Sequence, residues 1–426
     1  MNIYSKIGCV APDILVPKKG LDLEKWAIIA CDQYTSEYKF WHQAETLVGD
    51  APSTLRLILP EYYLPLINEE QLEERLAGIK DSAESYLKED VFAKLPAGFI
   101  LTDRSTSLHP SRKGIIIAID LEAYSFKPED KALVRATEGT VLDRIPPRVR
   151  IRSNSPVELP QVMLLIDDPE GSVVEKAWQS FDASSDELLY DTDLMQDCGH
   201  IKGAFVQDGT DIAKGIVSSL ERILDSNDDN LLFLVGDGNH SLASAKAYWE
   251  SVRESVPADQ REQHPARYAL VEVVNIHDKG LDFEPIHRLV FNVRPDEIIA
   301  KVEEEVGRDN IIISSHPIDE GETFTIVADK QCDKFVSITG NCPHALSVGS
   351  VQMILDKAGF KTDYIHGEDS VRDLAKNGNT GILLPDISKD SFFETVSKNG
   401  VFPRKTFSMG EAFEKRFYLE ARLIRK

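Results

Sequence analysis

The sequence of 426 residues is 42% hydrophobic and carries a formal net charge of −23 at pH 7, and its length is enough for about two or three domains with apolar cores. So large an acidic excess repels a phosphate backbone, which excludes nucleic acid as the main partner. No apolar run approaches the ~18 residues of a membrane span, and the N-terminal residues lack the apolar core of a signal peptide. The five cysteines are scattered and form no Cys-x-x-Cys pair, which favours a reducing compartment, so we expect a cytoplasmic protein. We expect its partner to be a small molecule and not a membrane. The sequence leaves the oligomeric state open.

The first 128 residues predict an N-terminal α/β domain. Asp32 and Tyr34 stand where a predicted strand ends, a position that often carries function, although a helix cap nearby explains these polar residues equally well. Apolar residues three and four positions apart at 69–89 predict an amphipathic helix. The predicted elements, in order, are strand 28–31, helix 37–47, strand 56–59, helix 69–89 and a hairpin of strands 99–102 and 114–119.

Residues 129–152 differ from the rest of this acidic chain, because five arginines surround Glu138 there: Arg135, Arg144, Arg148, Arg150 and Arg152. Arginine grips phosphate and carboxylate groups bidentately, which suits an anion site. The alternative is a helix surface whose arginines form ion pairs with Glu129, Asp130 and Asp143. The sequence favours neither alternative.

The most informative stretch is 231–250, in which an apolar strand at 231–235 leads into a turn and then into a helix. The turn reads Gly236-Asp237-Gly238-Asn239-His240-Ser241. Its glycines allow the backbone to bend sharply, and its Asp and Asn suit the turn and the helix cap. Such a junction presents free N–H groups and the positive end of a helix dipole to a phosphate or carboxylate. An ordinary glycine turn with a capping histidine is the alternative.

Further elements precede and follow this stretch, and those after it predict a C-terminal α/β region. His287 and Arg288 lie between a proline and an apolar run, so they either point into a cleft at a strand entrance or form a surface pair. The predicted elements are strand 162–166, helix 210–225, strand 268–276, helix 295–306, strands 324–328 and 334–338, helix 350–358, a helix near 368, strand 381–384, helix 389–399 and a strand or helix at 417–424.

Four motifs in this order resemble the domain-of-unknown-function family 1015, DUF1015. That family typically has an Asp-Gly-His-His-Arg turn, a Pro-Thr-His-Arg motif after it, an upstream His-Glu, and a Met-Pro-x-Lys-Ser-Thr segment near the C-terminus. The counterparts here are Asp237-Gly238-Asn239-His240-Ser241, Pro285-Ile286-His287-Arg288, Thr137-Glu138 and Phe402-Pro403-Arg404-Lys405-Thr406. The chain is therefore identified as a member of DUF1015.

A weaker resemblance, over about residues 130–290, links the first and third of these motifs to free-serine kinases with the ParB and sulfiredoxin type of fold. It implies that Glu138 is the general base and that Gly238, Asn239, His240 and Ser241 cradle nucleotide phosphates. Three residues depart from the kinase pattern: Thr137 and Asn239 replace histidines, and Ser241 replaces an arginine. Arg288, Lys405 or an arginine between 144 and 152 would have to supply the missing positive charge.

The resemblance and the residues together predict a mixed α/β fold with an N-terminal domain at 1–128, a central ParB- or sulfiredoxin-like domain at 129–292 and a C-terminal region at 293–426. The predicted function is phosphorylation of a small hydroxylated metabolite such as free serine, with ATP, ADP or pyrophosphate as donor. We expect Glu138, Asp237 and His240 to act in catalysis, with Asp237 holding Mg²⁺. The phosphate or nucleotide would be bound by Gly236, Gly238, Asn239, Ser241, His287, Arg288 and Lys405.

Two other classes of function remain. A non-catalytic sensor of a small anionic metabolite or nucleotide needs the same cradle but no base. A zinc hydrolase would use His240, His287 and His366, although these histidines lack His-x-x-x-His or His-x-Glu spacing.

Overall fold

The computed structural model describes residues 1–184, 187–329, 332–376 and 378–425, which form a mixed α/β protein as predicted. The chain makes two compact units, one of Met1–Leu281 with Glu411–Lys426 and one of Asp282–Gly410. The first unit takes strands from both sides of the domain boundary that the sequence analysis placed at residue 128. None of the described helices combines the length and the apolar character that crossing a membrane requires.

The first unit consists of a large sheet with helices on it. Its helices are α1 Leu23–Trp26, α2 Tyr38–Val48, α3 Glu69–Lys88, α4 Ile145–Asn154, α5 Val174–Ser184, α6 Asp211–Asp225 and α7 Asn239–Arg253. Its strands as far as residue 281 are β1 Asn2–Tyr4, β2 Cys9–Ala11, β3 Asp13–Pro17, β4 Ile28–Ile29, β5 Phe92–Ser105, β6 Arg112–Asp120, β7 Tyr124–Ser125, β8 Val134–Ala136, β9 Val157–Glu158, β10 Val162–Ile166, β11 Tyr190–Asp193, β12 His200–Gln207, β13 Phe233–Asp237 and β14 Tyr268–Asn275.

The main path of the sheet runs β11-β12-β5-β6-β14-β10-β13-β8-β7. β5 and β6 form the predicted antiparallel hairpin, and β14 pairs in parallel with β10. β13 pairs antiparallel with β10 and in parallel with β8. The strand that leads into the glycine turn therefore lies between β10 and the short strand that ends just before Glu138.

Each face of this sheet carries its own apolar core, because strand residues alternate between the two faces. On one face, Ile117 and Val271 pack with Ile216 of α6 and Trp249 of α7. On the other face, Ile116 and Leu270 pack with Trp41 of α2. The alternation explains why β6 and β14, which are buried on both faces, read as continuous apolar runs in the sequence.

The second unit contains a smaller antiparallel sheet in the order β16-β18-β17-β20-β15-β19, with β21 also paired to β15. Ile298 of α8 and Ile354 of α9 pack in its core. The elements are β15 Phe283–Val290, α8 Pro295–Val306, β16 Ile311–Ser314, β17 Glu322–Ala328, β18 Lys334–Ile338, α9 Ser347–Lys357, β19 Thr362–His366, α10 Glu368–Leu374, β20 Thr380–Leu383, α11 Lys389–Asn399 and β21 Phe407–Met409.

After the second unit the chain returns to the first. β22, Phe417–Tyr418, pairs with β4, and β23, Arg422–Leu423, pairs with β9. Between these two strands, Leu15 and Ala421 exchange backbone hydrogen bonds of 2.8 Å in both directions. The segment predicted as one terminal strand or helix at 417–424 is therefore two short strands separated by three residues.

One predicted strand is wrong. Residues 56–59 do not form a strand, because the chain makes a 3-10 helix at Thr54–Leu57. Ser53 caps that helix, since its hydroxyl accepts a hydrogen bond of 3.2 Å from the backbone N–H of Leu55. The apolar side chains of this turn are buried, so its sequence looks like a strand although its backbone is helical.

Candidate functional site

The glycine turn between β13 and α7 has a backbone conformation that requires glycine. Gly238 has φ +83°, and a Cβ at this position would lie 3.1 Å from the Cα of Val162 on the neighbouring strand. Gly238 is also the N-cap of α7 and, being a glycine, has no side chain with which to cap the helix. The first N–H groups of a helix have no partner within the helix, so this end of α7 is suited to an anion.

The segment at 137–141 is held against this turn by three hydrogen bonds. The backbone N–H of Thr137 donates to Oδ1 of Asn239 at 3.3 Å, and its hydroxyl donates to the carbonyl of Val235 at 2.5 Å. The N–H of Val141 donates to Nε2 of His240 at 3.1 Å. Glu138, which is half-buried, is thereby kept beside the turn by the residues on either side of it.

Through these contacts the side chains of Asn239 and His240 hold the 137–141 segment against the turn. Because Nε2 of His240 accepts a hydrogen bond, a neutral ring there carries its proton on Nδ1. The Asn239 side chain bridges to Thr137 through both its oxygen and its nitrogen, the latter at 3.4 Å from the Thr137 hydroxyl. Two of the three positions at which the sequence departs from the kinase pattern, Thr137 and Asn239, therefore contact each other.

Three charged groups meet beside the turn. Nζ of Lys415 lies 3.5 Å from Oδ2 of Asp237, and the amide of Gln33 donates to Asp32 at 3.0 Å. Burial, the charge of Asp237 and the charge of Glu61 together raise the pKa of Asp32 from an ordinary 3.8 to about 6, against the opposing effects of Gln33 and Lys415. A carboxyl group whose pKa is raised by a neighbouring carboxylate is typical of functional sites.

The closeness of the Asp32 and Asp237 carboxylates suits a Mg²⁺ ion, because a bound divalent cation would offset the repulsion that helps to raise the pKa of Asp32. Among the described residues, no group of three or more His, Cys, Asp or Glu side chains is arranged to hold a metal ion. Mg²⁺ needs fewer protein ligands than that, since it usually binds through one or two carboxylates together with phosphate oxygens and water.

A pocket of about 370 Å³ opens at the first turn of α7, and all of its walls belong to the first unit. Ser241 and Ser244 of α7 line it on one side, and Gln161 accepts a hydrogen bond of 3.2 Å from Ser241. Apolar side chains line much of the remainder: Leu57, Ile58, Leu59, Leu64, Pro147, Ile151, Val157 and Leu159. An apolar cleft with a few converging polar groups is the usual form of a small-molecule site.

The arginine-rich segment supplies another wall of this pocket through α4. Arg148 pairs with Glu61 and Arg152 with Glu158, while Arg150 pairs with Glu69 at 2.5 Å and also with Glu73. Outside α4, Arg135 pairs with Asp229 at 2.7 Å. The ion pairs that the sequence left as an alternative do occur, but with other carboxylates than the three that were named.

Arg144 differs from the other four arginines. It is exposed, it lines the pocket, and within the described part of the chain it makes no ion pair. It is therefore the arginine of this segment that has its positive charge available for a ligand.

His287, Arg288 and Lys405 belong to the second unit, where Arg288 is fully buried. Its guanidinium donates to the carbonyl oxygens of Ile286 at 2.6 Å and Lys405 at 3.0 Å. His287 accepts a hydrogen bond of 3.1 Å from the N–H of Leu384, and burial lowers its pKa. Their predicted part in phosphate binding stays a prediction.

Comparison with known families decides the classification of the chain. Residues 15–358 match the family described as "Protein of unknown function (DUF1015)". The chain belongs to DUF1015.

Several solved structures are similar to this DUF1015 chain over about 70% of its length, at low sequence identity. Free serine kinase in complex with AMP is 12% identical, with a TM-score of 0.37 over 71% of this chain and 90% of that chain. SbnI with C-terminal truncation from Staphylococcus aureus is 11% identical, with a TM-score of 0.37 over 69% and 82%. A conserved hypothetical protein from Pyrococcus furiosus is 13% identical, with a TM-score of 0.34 over 71% and 93%. No curated protein matches the sequence.

Since these likenesses are too weak to carry an activity, the function of this DUF1015 chain has to be argued from its own residues. Sequence reasoning found the turn and Glu138 but did not include Asp32, Glu61, Gln161 or Lys415 among the site residues. Asp32 had one signal, its place at a strand exit. No sequence signal marked Lys415, because this residue comes close to Asp237 only when the chain returns to the first unit.

Proposed function

We propose that this DUF1015 protein is a nucleotide-dependent kinase of a small hydroxylated metabolite, with free serine as the first candidate. The observation that carries the proposal is that an apolar pocket lined by Arg144 opens at the first turn of α7, whose N-cap is Gly238, while Asp237 at the start of this turn interacts with the carboxyl of Asp32. Phosphoryl transfer needs these parts: donors for phosphate oxygens, carboxylates for a metal and a positioned base.

The donor nucleotide binds with its base against the apolar wall and its phosphates at the helix end. Leu57, Leu59 and Ile151 offer a surface for a planar base. Ser241 and the first N–H groups of α7 receive the phosphates, because the helix dipole favours negative charge there. Arg144 supplies the positive charge that the kinase pattern places at residue 241.

Asp237, with Asp32 beside it, holds Mg²⁺ in this proposal. When bound, Mg²⁺ neutralises charge on the phosphate oxygens and so lowers the barrier to transfer. Lys415, whose Nζ lies 3.5 Å from Oδ2 of Asp237, holds this carboxylate in position. Glu138 accepts the proton of the acceptor hydroxyl, as the hydrogen bonds of Thr137 and Val141 keep it beside the turn.

The test uses the full-length protein with Mg²⁺, a donor (ATP, ADP or pyrophosphate) and serine or other hydroxylated metabolites. We expect the donor to raise the melting temperature and ³¹P NMR to detect a phosphorylated product. Glu138→Gln should keep the donor's melting shift and lower turnover by about 100-fold or more. Glu129→Gln, which changes an exposed acid of the same segment, is the matched control and should leave both unchanged.

A donor-induced melting shift without product from any acceptor would instead favour a sensor of small anionic molecules. In that case Glu138→Gln and the native chain would behave alike. If neither nucleotides nor pyrophosphate change the melting temperature, the nucleotide-dependent kinase is ruled out, and so is a sensor of nucleotides or pyrophosphate.

A further inference from the structure

One wall of the pocket at the first turn of α7 is a chain of hydrogen bonds that reaches the returning C-terminal segment. Oε1 of Gln161 accepts hydrogen bonds from the Ser241 hydroxyl at 3.2 Å and from the Cys31 thiol at 3.6 Å. The backbone N–H of Cys31 donates to the hydroxyl of Tyr418 at 3.2 Å. All four residues line the pocket, and Tyr418 belongs to β22. These bonds decide which polar atoms of the wall remain for a ligand.

The Gln161 amide is held in one orientation, because both groups at its oxygen are donors. Burial and the charge of Asp32 raise the pKa of the Cys31 thiol to about 12, so the thiol keeps its proton and donates it. Nε2 of Gln161 donates to none of the described residues and is not enclosed by them. Since Gln161 is half-buried and lines the pocket, its amide protons are available to a ligand there.

Tyr418 supplies a second donor on the same wall. Its side chain is buried, at 2% exposed, and burial raises its pKa well above the ordinary value, so the hydroxyl keeps its proton. Among the described residues, the acceptor that this proton meets is the Cys31 sulfur, and sulfur is a weak acceptor. A buried hydroxyl with so poor an acceptor is unusual in a native protein and calls for a partner from outside the chain.

The wall therefore offers hydrogen-bond donors and holds its acceptors in use. The oxygens of Gln161 and Tyr418 already accept hydrogen bonds from the chain, whereas their N–H and O–H protons are available. A phosphate oxygen, which only accepts, matches such a wall. Arg144 lines the same pocket and brings the positive charge that a phosphate needs.

We propose that Gln161 and Tyr418 bind a phosphate oxygen of the ligand and that Ser241 is a positioning residue that orients Gln161. This inference rests on the proposed function, because it takes the phosphate end of the pocket to be at the start of α7. The backbone N–H of Ser241 still faces the phosphates. Its hydroxyl proton is given to Gln161, so the hydroxyl acts on the phosphate through that side chain.

The experiment separates the phosphate from the base by isothermal titration calorimetry of the full-length protein with ADP, with pyrophosphate and with adenosine. Tyr418→Phe and Gln161→Met each remove donors and keep the size of the side chain. We expect each variant to bind ADP and pyrophosphate more weakly by about 10-fold or more, because each loses a hydrogen bond to a charged group. Adenosine, which has no phosphate, should bind both variants as it binds the native chain.

Tyr86→Phe is the matched control, because Tyr86 is a half-buried tyrosine of the first unit whose hydroxyl accepts a hydrogen bond of 2.9 Å from the N–H of Ser53, outside the pocket. It should leave all three affinities unchanged.

The positioning role of Ser241 is tested with two further variants. Ser241→Ala should weaken pyrophosphate binding by less than Gln161→Met does, because the amide of Gln161 remains and loses only its orientation. Ser241→Thr, which keeps the hydroxyl, should restore most of the affinity.

The outcomes distinguish this inference from the proposed function. If the native chain binds ADP and pyrophosphate and either Tyr418→Phe or Gln161→Met binds them equally well, the inference is overturned and the proposed function stands. An equal loss of adenosine and pyrophosphate also overturns it, since that would indicate a structural role. If the native chain binds neither ADP nor pyrophosphate, the proposed function itself fails. If Tyr418→Phe does not fold, the half-buried Gln161→Met carries the test alone.

Discussion

Asp32 shows how one side chain links the stability of this protein to its site. Because of burial and of the charges of Asp237 and Glu61, its pKa of about 6 lies above the ordinary 3.8 that applies to the unfolded chain. The folded protein therefore binds the proton more tightly than the unfolded chain does. The stability that this proton contributes is fully present below about pH 4 and is lost as the pH rises through about 6.

We expect Asp32→Asn to have little effect on the free energy of unfolding at pH 4 and to increase it by about 1–2 kcal/mol at pH 7.5, where the native carboxyl is ionised. Urea unfolding at the two pH values measures the difference. Asp259→Asn, which changes an exposed aspartate of the same unit, should show no such dependence on pH. An equal effect of Asp32→Asn at both pH values would contradict the raised pKa.

The neighbours of Asp32 could not be found from the sequence. Its place at a strand exit was visible, but Glu61, Asp237 and Lys415 come from three distant parts of the chain. Only the fold brings them together.

At the scale of elements, the start of α7 depends on Gly238. The sequence predicted helix only from Leu242 onward, because Asn239 and His240 are weak helix formers. In the structure α7 begins at Asn239, since the left-handed Gly238 turns the chain and Asn239 and His240 then bind the 137–141 segment.

Gly238→Ala should therefore be costly. We expect it to lower the free energy of unfolding by about 1–2 kcal/mol through the left-handed backbone alone, with a further cost from the contact with Val162. Gly215→Ala is the matched control within α6, where a Cβ meets nothing within 4 Å. It should increase stability by about 0.5–1 kcal/mol, because alanine favours a helix. Urea unfolding of both variants gives the comparison, and a neutral Gly238→Ala would contradict it.

Periodic elements were predictable and the pairing of strands was not. Regular apolar spacing gave α3 and α6 nearly to the residue, and Pro295 marked the start of α8. The 3-10 helix at Thr54–Leu57 was mistaken for a strand, because a short apolar run before a proline does not distinguish the two. The parallel pairing of β10 with β14 joins residues more than a hundred positions apart, which no local pattern records.

At the scale of the whole molecule, the first unit depends on the return of the chain after residue 410. Arg422 on β23 donates to Glu158 at 2.8 Å, and Glu158 is also paired with Arg152 of α4. Arg422 and Glu158 are buried and Arg152 is half-buried, and the N–H of Leu270 donates to Glu158 at 2.9 Å. The returning segment is thus joined to a wall of the pocket.

We expect Arg422→Met to lower the free energy of unfolding by about 3–5 kcal/mol, because it leaves the buried Glu158 with one cation fewer. Hydrogen exchange should become faster in β9 and β23. Arg308→Met is the control, since Arg308 is 83% exposed in its pair with Glu303. That variant should change the free energy of unfolding by less than about 0.5 kcal/mol. A similar cost for both would show that the buried pair contributes nothing beyond a surface pair.

The discontinuous first unit also sets an order of events during synthesis. A ribosome must translate all of Asp282–Gly410 before it adds Lys415, Tyr418 and Arg422, which complete the first unit. The nascent chain therefore carries β4 and β9 without their partner strands while the inserted unit is being made. Chaperones that shield exposed strands would have their main opportunity to act in that interval.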